Sequence, residues 1–301
     1  MYSERKTQGT RRALIIYNPV AGRRRRTFFR KTVKHLRKAG LDITLLETTG
    51  PGDATDLARS ASTAGGPARP DMIIAAGGDG TINEVANGLI GSDVPLGIIP
   101  MGTANVLARD IGLRQRSGLV AKTLARGFKR PIHLGRADTK RFVMMAGLGF
   151  DAQVVANINV NLKYKFGRLA YALAGMRELL FGPRKAFDVT IDGSTYRSAW
   201  VVIAKGRHFG GSFIVARNAR LDDPALVACI LPGTRRIDLA RYLIAIGMGR
   251  IDKQPDVTFL RTQFIEIAEN SDVSIEIDGD HATTALTSFS VGESLQLIQP
   301  A

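Results

Sequence analysis

Between Ile73 and Gly88 the chain reads IIAAGGDGTINEVANG. Gly77, Gly78 and Gly80 surround Asp79, and Thr81 and Asn83 follow. Glycine lets the main chain take positive φ and lets a ligand touch it. The first N–H groups of a helix have no partner inside it and attract anions. Phosphate is the guest that suits such a turn. Asp79 then has two chemical uses. It can bind a magnesium ion that also holds phosphate oxygens, or it can face the group that attacks phosphorus. The same residues also suit a plain strand-to-helix turn capped by Asp79 or Thr81. Neither common nucleotide loop is present: G-x-G-x-x-G fails at Asn83, and GxxxxGK[ST] occurs nowhere.

Three further polar, small-residue stretches share this context. YNPVAG at 17–22, with Asn18, follows the first apolar run; Thr48, shortly before Gly52-Asp53-Ala54, follows the second; PMGTANVLARD at 100–110, with Thr103, follows another. All four leave the carboxyl ends of strand-like runs. In an open parallel sheet that edge is where ligands bind.

The elements that must position them are readable in outline. ALIIY, DITLLE, MIIAA and LGIIP read as strands. Between them Phe29, Val33 and Leu36, then Ala54, Leu57, Ala58 and Ala61, then Ile82, Val85, Ala86 and Leu89 recur at helical spacing. Repeated βα units imply a doubly wound parallel sheet, an α/β nucleotide domain over residues 1–134. After it, the short pieces AFDVTID, TYRSAWVVIA, ALVACIL, VTFL, FIEIA and VSIEID imply a β-rich, sandwich-like domain over 135–301. Asp192-Gly193 and Asp278-Gly279 fall where hairpin turns belong. Two helices interrupt the strands. One covers Gly167 to Leu180, with Leu169, Ala170, Leu173 and Leu180 on one side, and the other covers Leu239 to Met248. The last strand, at about 290–301, is free to return to the first domain.

Composition narrows the partners. The 301 residues include 42 Lys or Arg against 27 Asp or Glu, a net charge of +15 that favours polyanions: nucleotides, nucleic acid or an anionic membrane face. A nucleic-acid module would explain the charge but not the four loops, so no nucleic acid is expected. The single cysteine, Cys229, excludes a disulfide within the chain and reads as a buried thiol in a reducing compartment. The longest charge-free run, Val94 to Ala108, is too short to span a bilayer, and MYSERKTQGTRR lacks the apolar core of a signal peptide. The expectation is a cytoplasmic protein that sits peripherally on a membrane. Arg23 to Arg26 could meet nucleotide phosphates, anionic headgroups or only solvent. Lys163, Lys165 and Arg168, interleaved with Tyr164 and Phe166, suit a membrane interface, nucleic acid or the exposed start of a helix. Oligomeric state is not readable.

YNPVAG, ETTGPGDA, AAGGDGTINEVANG and GIIPMGTANVLARD, in that order, resemble the diacylglycerol kinase catalytic-domain family, which includes bacterial lipid kinases, sphingosine kinases and ceramide kinases. IDGD at 277–280 and ARLDDPALV at 219–227 resemble weakened forms of its C-terminal motifs. The resemblance implies an ATP-dependent lipid kinase using Mg²⁺, with diacylglycerol or a related lipid alcohol as acceptor. It implies that Asn18, Thr48, Gly77, Gly78, Asp79, Gly80, Thr81, Asn83 and Thr103 surround ATP. Asp79 would lie against the transferring phosphate and its metal, and Asp280 would accept the proton of the lipid hydroxyl. Asp223, with the carbonyls of Arg220 and Ala225, would form a structural Mg²⁺ site. The chain departs from the family pattern in three places: Asp280 stands where Glu is usual, Pro224 where Gly is usual, and His133 where many bacterial members have Asp. His133 reads better as a strand residue than as a ligand, since no other His or Cys lies at metal spacing. Locally, Asp278 is a turn residue. GGDGT is shared with NAD kinases, which leaves an NAD or polyphosphate kinase as one alternative. A non-catalytic nucleotide or lipid sensor of the same fold is another.

Overall fold

The computed structural model describes residues 11–21, 25–157, 168–182, 185–268, 273–282 and 287–301. Arg23, Arg24 and the Lys163–Phe166 stretch lie outside them. Along the chain the elements run β1 (Arg12–Tyr17), α1 (Arg26–Lys38), β2 (Asp42–Glu47), α2 (Asp53–Thr63), β3 (Met72–Gly77), α3 (Asp79–Gly88), β4 (Leu96–Pro100), α4 (Val106–Asp110) and α5 (Ser117–Arg126). Next come β5 (Phe128–Ala137), β6 (Lys140–Phe142), β7 (Met145–Gly149), α6 (Phe150–Ala156), α7 (Arg168–Phe181), β8 (Phe187–Ile191), β9 (Ser194–Ser198) and β10 (Trp200–Ala204). β11 (His208–Phe209), β12 (Phe213–Ile214), β13 (Leu226–Leu231), α8 (Arg236–Gly247), β14 (Thr258–Thr262), β15 (Phe264–Ile267), β16 (Ile275–Ile277), β17 (Asp280–His281) and β18 (Ser288–Gln299) complete the order.

The chain divides into two compact units. Unit 1 comprises the residues up to Met101, Leu113–Arg130 and Gln296–Ala301; unit 2 comprises Gly102–Gly112 and Pro131–Leu295. In unit 1 the parallel strands lie in the order β2, β1, β3, β4, and Leu297 of β18 pairs with Leu96 of β4. Every residue of β3 and β4 is buried. Near-continuous apolar runs are what a parallel sheet covered on both faces requires. α1 buries Phe29, Thr32 and Leu36, and the Phe29 ring stacks on Tyr17 with centroids 4.4 Å apart. α2 and α3 pack backbone to backbone at Gly88, where a side chain would overlap the Thr55 carbonyl.

Unit 2 holds two β layers. One is the antiparallel six-strand sheet β14, β13, β10, β7, β16, β17; the other includes β15, β8, β9 and the start of β18. Their inner faces supply one core, including Ala146, Leu148, Val201, Ile203, Leu226, Ile230, Val189, Ile265 and Phe289. Alternate residues point inward along each strand, as sandwich packing dictates. Asp192 and Gly193 both have positive φ at the β8–β9 turn, and so do Asp278 and Gly279 at the β16–β17 turn. That is the type I′ geometry for which Asp-Gly is suited.

Of the four residues expected on one side of α7, only Leu180 has a described side chain; those of Leu169, Ala170 and Leu173 lie outside the described residues. Leu180 on α7 is exposed and Glu178 is buried. Glu178 accepts a hydrogen bond from the Asn157 side chain just after α6 (3.1 Å).

Candidate active site

In unit 1 the strand order places β1 between β2 and β3. The chain first steps from β1 to β2, then crosses to β3 on the other side. The gap between the β1 and β3 carboxyl ends is therefore the topological switch point where doubly wound sheets bind ligands. Tyr17, the last residue of β1, pairs with Ala76, one residue before the end of β3. The Asn18 N–H donates to the Ala76 carbonyl (3.0 Å), and its side-chain amide donates to the Thr81 hydroxyl (3.1 Å). The Asn18 side-chain oxygen accepts from the N–H groups of Val20 and Ala21 (3.0 and 3.1 Å), which folds the following loop. Thr48 N–H donates to the Tyr17 carbonyl (2.9 Å). Asn18, Thr48, Gly77 and Thr81 thus meet at one edge.

The glycine turn is built from close packing and open space. A Cβ on Gly77 would overlap the Thr81 side chain, whereas Gly80 is exposed with open space beside it. The helical ladder of α3 begins with Ile82 N–H on the Gly78 carbonyl (3.1 Å), so earlier N–H groups face out of the helix end. Asp79 is half-buried in that first turn, where a carboxylate also complements the helix dipole. Asn83 is turned along the helix and accepts from the Asn87 amide (2.9 Å). Nearby, Asp53 closes the loop before α2, accepting from Thr49 and from Gly50 N–H (3.1 Å); the Thr49 hydroxyl and N–H hold its carboxyl below the usual carboxylate range. Glu84 of α3 accepts from Ala54 N–H (3.2 Å), so α3 also caps α2.

In unit 2, Thr103 is exposed shortly before α4, and Asp280 is exposed on β17. The turn before Asp280 is held by two acids. Asp278 accepts the N–H groups of Val143, Met144 and Met145 (2.7, 2.9 and 3.0 Å). Glu276 accepts Gly279 N–H (2.6 Å). Glu276 is buried close to a second buried acid, Asp151 of α6: Gly147 of β7 pairs with Glu276, and a Cβ on Gly147 would overlap the Asp151 carboxylate. One oxygen of each acid has no partner among the described residues. Burial pushes both carboxyls above the usual carboxylate range, and the Asp151 charge pushes Glu276 further. Asp110, the last residue of α4, accepts from Arg207 N–H (2.9 Å) and bonds the His208 ring (2.8 Å).

The two carbonyls that the resemblance assigned to a structural magnesium, those of Arg220 and Ala225, are engaged by a lysine, as is the carbonyl of Asp223. The Lys205 ammonium donates to the carbonyls of Arg220 (3.3 Å), Asp223 (2.5 Å) and Ala225 (3.0 Å). The Asp223 carboxylate is turned to Arg261 in a bidentate pair (2.9 and 2.7 Å) that holds its pKa down, and Asp222 pairs with Arg220. His133 is half-buried; burial, then the Lys205 charge, hold its pKa below 6.5, which favours the neutral ring. A divalent cation needs such oxygens at about 2.0–2.6 Å, and two cations cannot share them. With Lys205 in place these residues do not fit a structural magnesium. Among the described residues no group of three or more His, Cys, Asp or Glu is arranged to hold a metal. In the first turn of α3 the acid is Asp79.

Sequence reasoning did not single out Lys205, Asp110, Asp151 or Glu276. Lys205 had a weak signal, a lysine directly after the all-apolar run WVVIA. Its acceptors are main-chain carbonyls, which carry no residue signature.

Comparison with known proteins finds matches over most of the chain. The profile of the diacylglycerol kinase catalytic domain matches residues 12–137. That of the YegS C-terminal NAD kinase beta sandwich-like domain matches 144–298. A diacylglycerol kinase of Bacillus subtilis is 30% identical over 280 residues, covering 90% of each chain. One of Staphylococcus saprophyticus is 30% identical over 284 residues, covering 90% of this chain and 89% of that one. A crystal structure of a candidate diacylglycerol kinase from Bacillus anthracis superimposes with a TM-score of 0.79 at 25% identity, covering 99% of this chain and 98% of that one.

Proposed function

Because this chain belongs to the diacylglycerol kinase family of lipid kinases, we propose that it transfers the γ-phosphoryl group of Mg-ATP to the hydroxyl of a lipid alcohol, with diacylglycerol as the first candidate. The observation that carries the reading is the bared main chain at the β1/β3 switch point, with Asn18 bonded to Thr81 and Asp79 in the first turn of α3. Outward N–H groups at that helix end hold phosphate oxygens. Asp79 would hold the magnesium that comes with ATP, and the ion would neutralise phosphate charge. The lipid oxygen attacks the γ-phosphorus while the bond to the β,γ-bridging oxygen breaks, and ADP leaves. The transition state is loose, so positioning and charge neutralisation do most of the catalysis. The alcohol proton leaves late and passes to Asp280. Asp280 needs placement for this more than a raised pKa, and the Asp278 and Glu276 bonds hold the turn that carries it.

The proposed acceptor lies at an anionic membrane surface. What supports this is the +15 charge together with an apolar strip on unit 2. Ile237, Ile244 and Met248 on α8 are 68%, 62% and 60% exposed, and Phe181 at the end of α7 is 79% exposed. Arg236, Arg250 and Arg177 stand exposed on the same two helices or just beyond them. Apolar residues rimmed by basic ones suit an interfacial surface. No helix among the described residues is long and apolar enough to cross a membrane.

The description of the second domain profile mentions NAD kinase, which keeps NAD as a second acceptor. Incubation of the full chain with radiolabelled Mg-ATP, a panel of diacylglycerol, monoacylglycerol, ceramide, sphingosine, phosphatidylglycerol and undecaprenol, and NAD separates the readings. Label in a lipid that disappears in Asp79→Asn supports the proposal. Label in NAD replaces it with the second reading, and nucleotide binding with no product indicates a sensor.

A further inference from the structure

Lys205 follows β10, and its own N–H donates to the Met144 carbonyl (2.8 Å). Its side chain is fully buried. A buried charge is tolerated when its donors are satisfied, and here the count closes. An ammonium has three N–H groups and no acceptor, while a neutral amine has two N–H groups and a lone pair. Three carbonyls, those of Arg220, Asp223 and Ala225, surround Nζ. That set matches the charged form, and a neutral amine would leave one carbonyl without a donor. The carbonyls come from both sides of Pro224, so a single side chain pins the whole turn from Arg220 to Ala225. The carboxylates that could have joined a metal shell are spent elsewhere: Asp223 on Arg261 and Asp222 on Arg220.

We propose that the Lys205 ammonium is the resident cation of the Arg220–Ala225 loop, ordering it as a bound metal would and keeping divalent ions out. The inference concerns the loop alone and is independent of the phosphoryl-transfer reading. Two consequences separate it from a merely packed lysine. The loop should be indifferent to divalent ions in the parent protein. Once the lysine is shortened, the same carbonyls form an oxygen-lined space of the kind hard cations occupy.

Amide hydrogen exchange of the peptide spanning residues 219–226 reads the loop directly. The full chain is measured without nucleotide, in EDTA or in millimolar magnesium or calcium chloride. The parent is expected to exchange at one rate in all three. Lys205→Met keeps the length and loses the charge; it should exchange on the order of tenfold faster, since the carbonyls lose their donors, with no recovery on adding either ion. Lys205→Ala should exchange faster in EDTA and regain protection with calcium or magnesium. Faster exchange of the parent in EDTA would overturn the proposal. So would Lys205→Met exchanging like the parent, and so would Lys205→Ala ignoring both ions. If neither variant folds, the parent measurement alone still decides.

Discussion

Three acids on one short hairpin carry different tasks, and their surroundings separate them. Asp278 is saturated by three main-chain N–H groups, Glu276 is buried and accepts one more, and Asp280 is exposed. Removing Asp278 leaves buried donors without an acceptor, which costs about 1–3 kcal/mol. Asp278→Ala should therefore lower both the unfolding midpoint in urea and the activity. Asp280→Asn should leave the midpoint unchanged and lower kcat on the order of 10²–10⁴-fold, the usual contribution of a general base. Equal losses of stability in the two variants would contradict the assignment. From the sequence alone, Asp278 reads only as a turn residue, because the donors it satisfies lie more than 130 residues away. The burial of Lys205, only weakly signalled by the apolar run before it, and of Glu276 escaped for the same reason: burial of a charged side chain is decided by distant chain segments.

Among the elements, β7 and α6 show how a single glycine admits a polar pair. Gly147 leaves the space that the Asp151 carboxylate fills. Gly147→Ala should destabilise by about 1–3 kcal/mol, the usual range for overpacking. The same change in an Asp151→Ala background should cost clearly less, giving a coupling that a double-mutant cycle resolves. Additive losses would contradict the packing account. α8 is anchored differently. Arg241 grips Asp256 through two bonds (2.8 and 2.7 Å), and the Tyr242 hydroxyl donates to the same carboxylate (2.5 Å). The Arg241 and Tyr242 bonds lower the Asp256 pKa to about 2 from its ordinary 3.8. Between those values the unfolded chain binds more protons than the folded one, so this group's stabilisation is complete above 3.8 and lost as pH falls through about 2. The thermal midpoint should drop across that window, and less steeply in Asp256→Asn. Parallel curves for the two proteins would show that Asp256 contributes nothing. Helix and strand placement was largely legible: MIIAA became β3, LGIIP became β4, and both Asp-Gly pairs became hairpin turns. The burial of Glu178 near the end of α7 was not, because its partner Asn157 lies on a separate element that sequence spacing does not connect to it.

For the whole molecule, the α/β fold with a β-sandwich-like second part followed from the switch in periodicity along the chain. Strand order did not, since β1 lies between β2 and β3 through pairings that leave no local mark. The net charge of +15 acts at this scale too. Sedimentation with vesicles containing anionic lipid should carry the protein down, and release should rise as salt screens the attraction. Ile244→Glu with Met248→Glu should weaken the retention that survives in high salt, while activity on a short-chain, water-soluble diacylglycerol persists. Unchanged sedimentation of that variant would remove α8 from the membrane-facing surface. The account as a whole depends on where the triphosphate sits. A crystal structure of the full chain with magnesium and a non-hydrolysable ATP analogue measures that directly. The expected result is phosphate oxygens on the main-chain N–H groups at the start of α3, beside Asn18, with the magnesium on Asp79. A triphosphate bound anywhere else, with that turn unaltered, would contradict it.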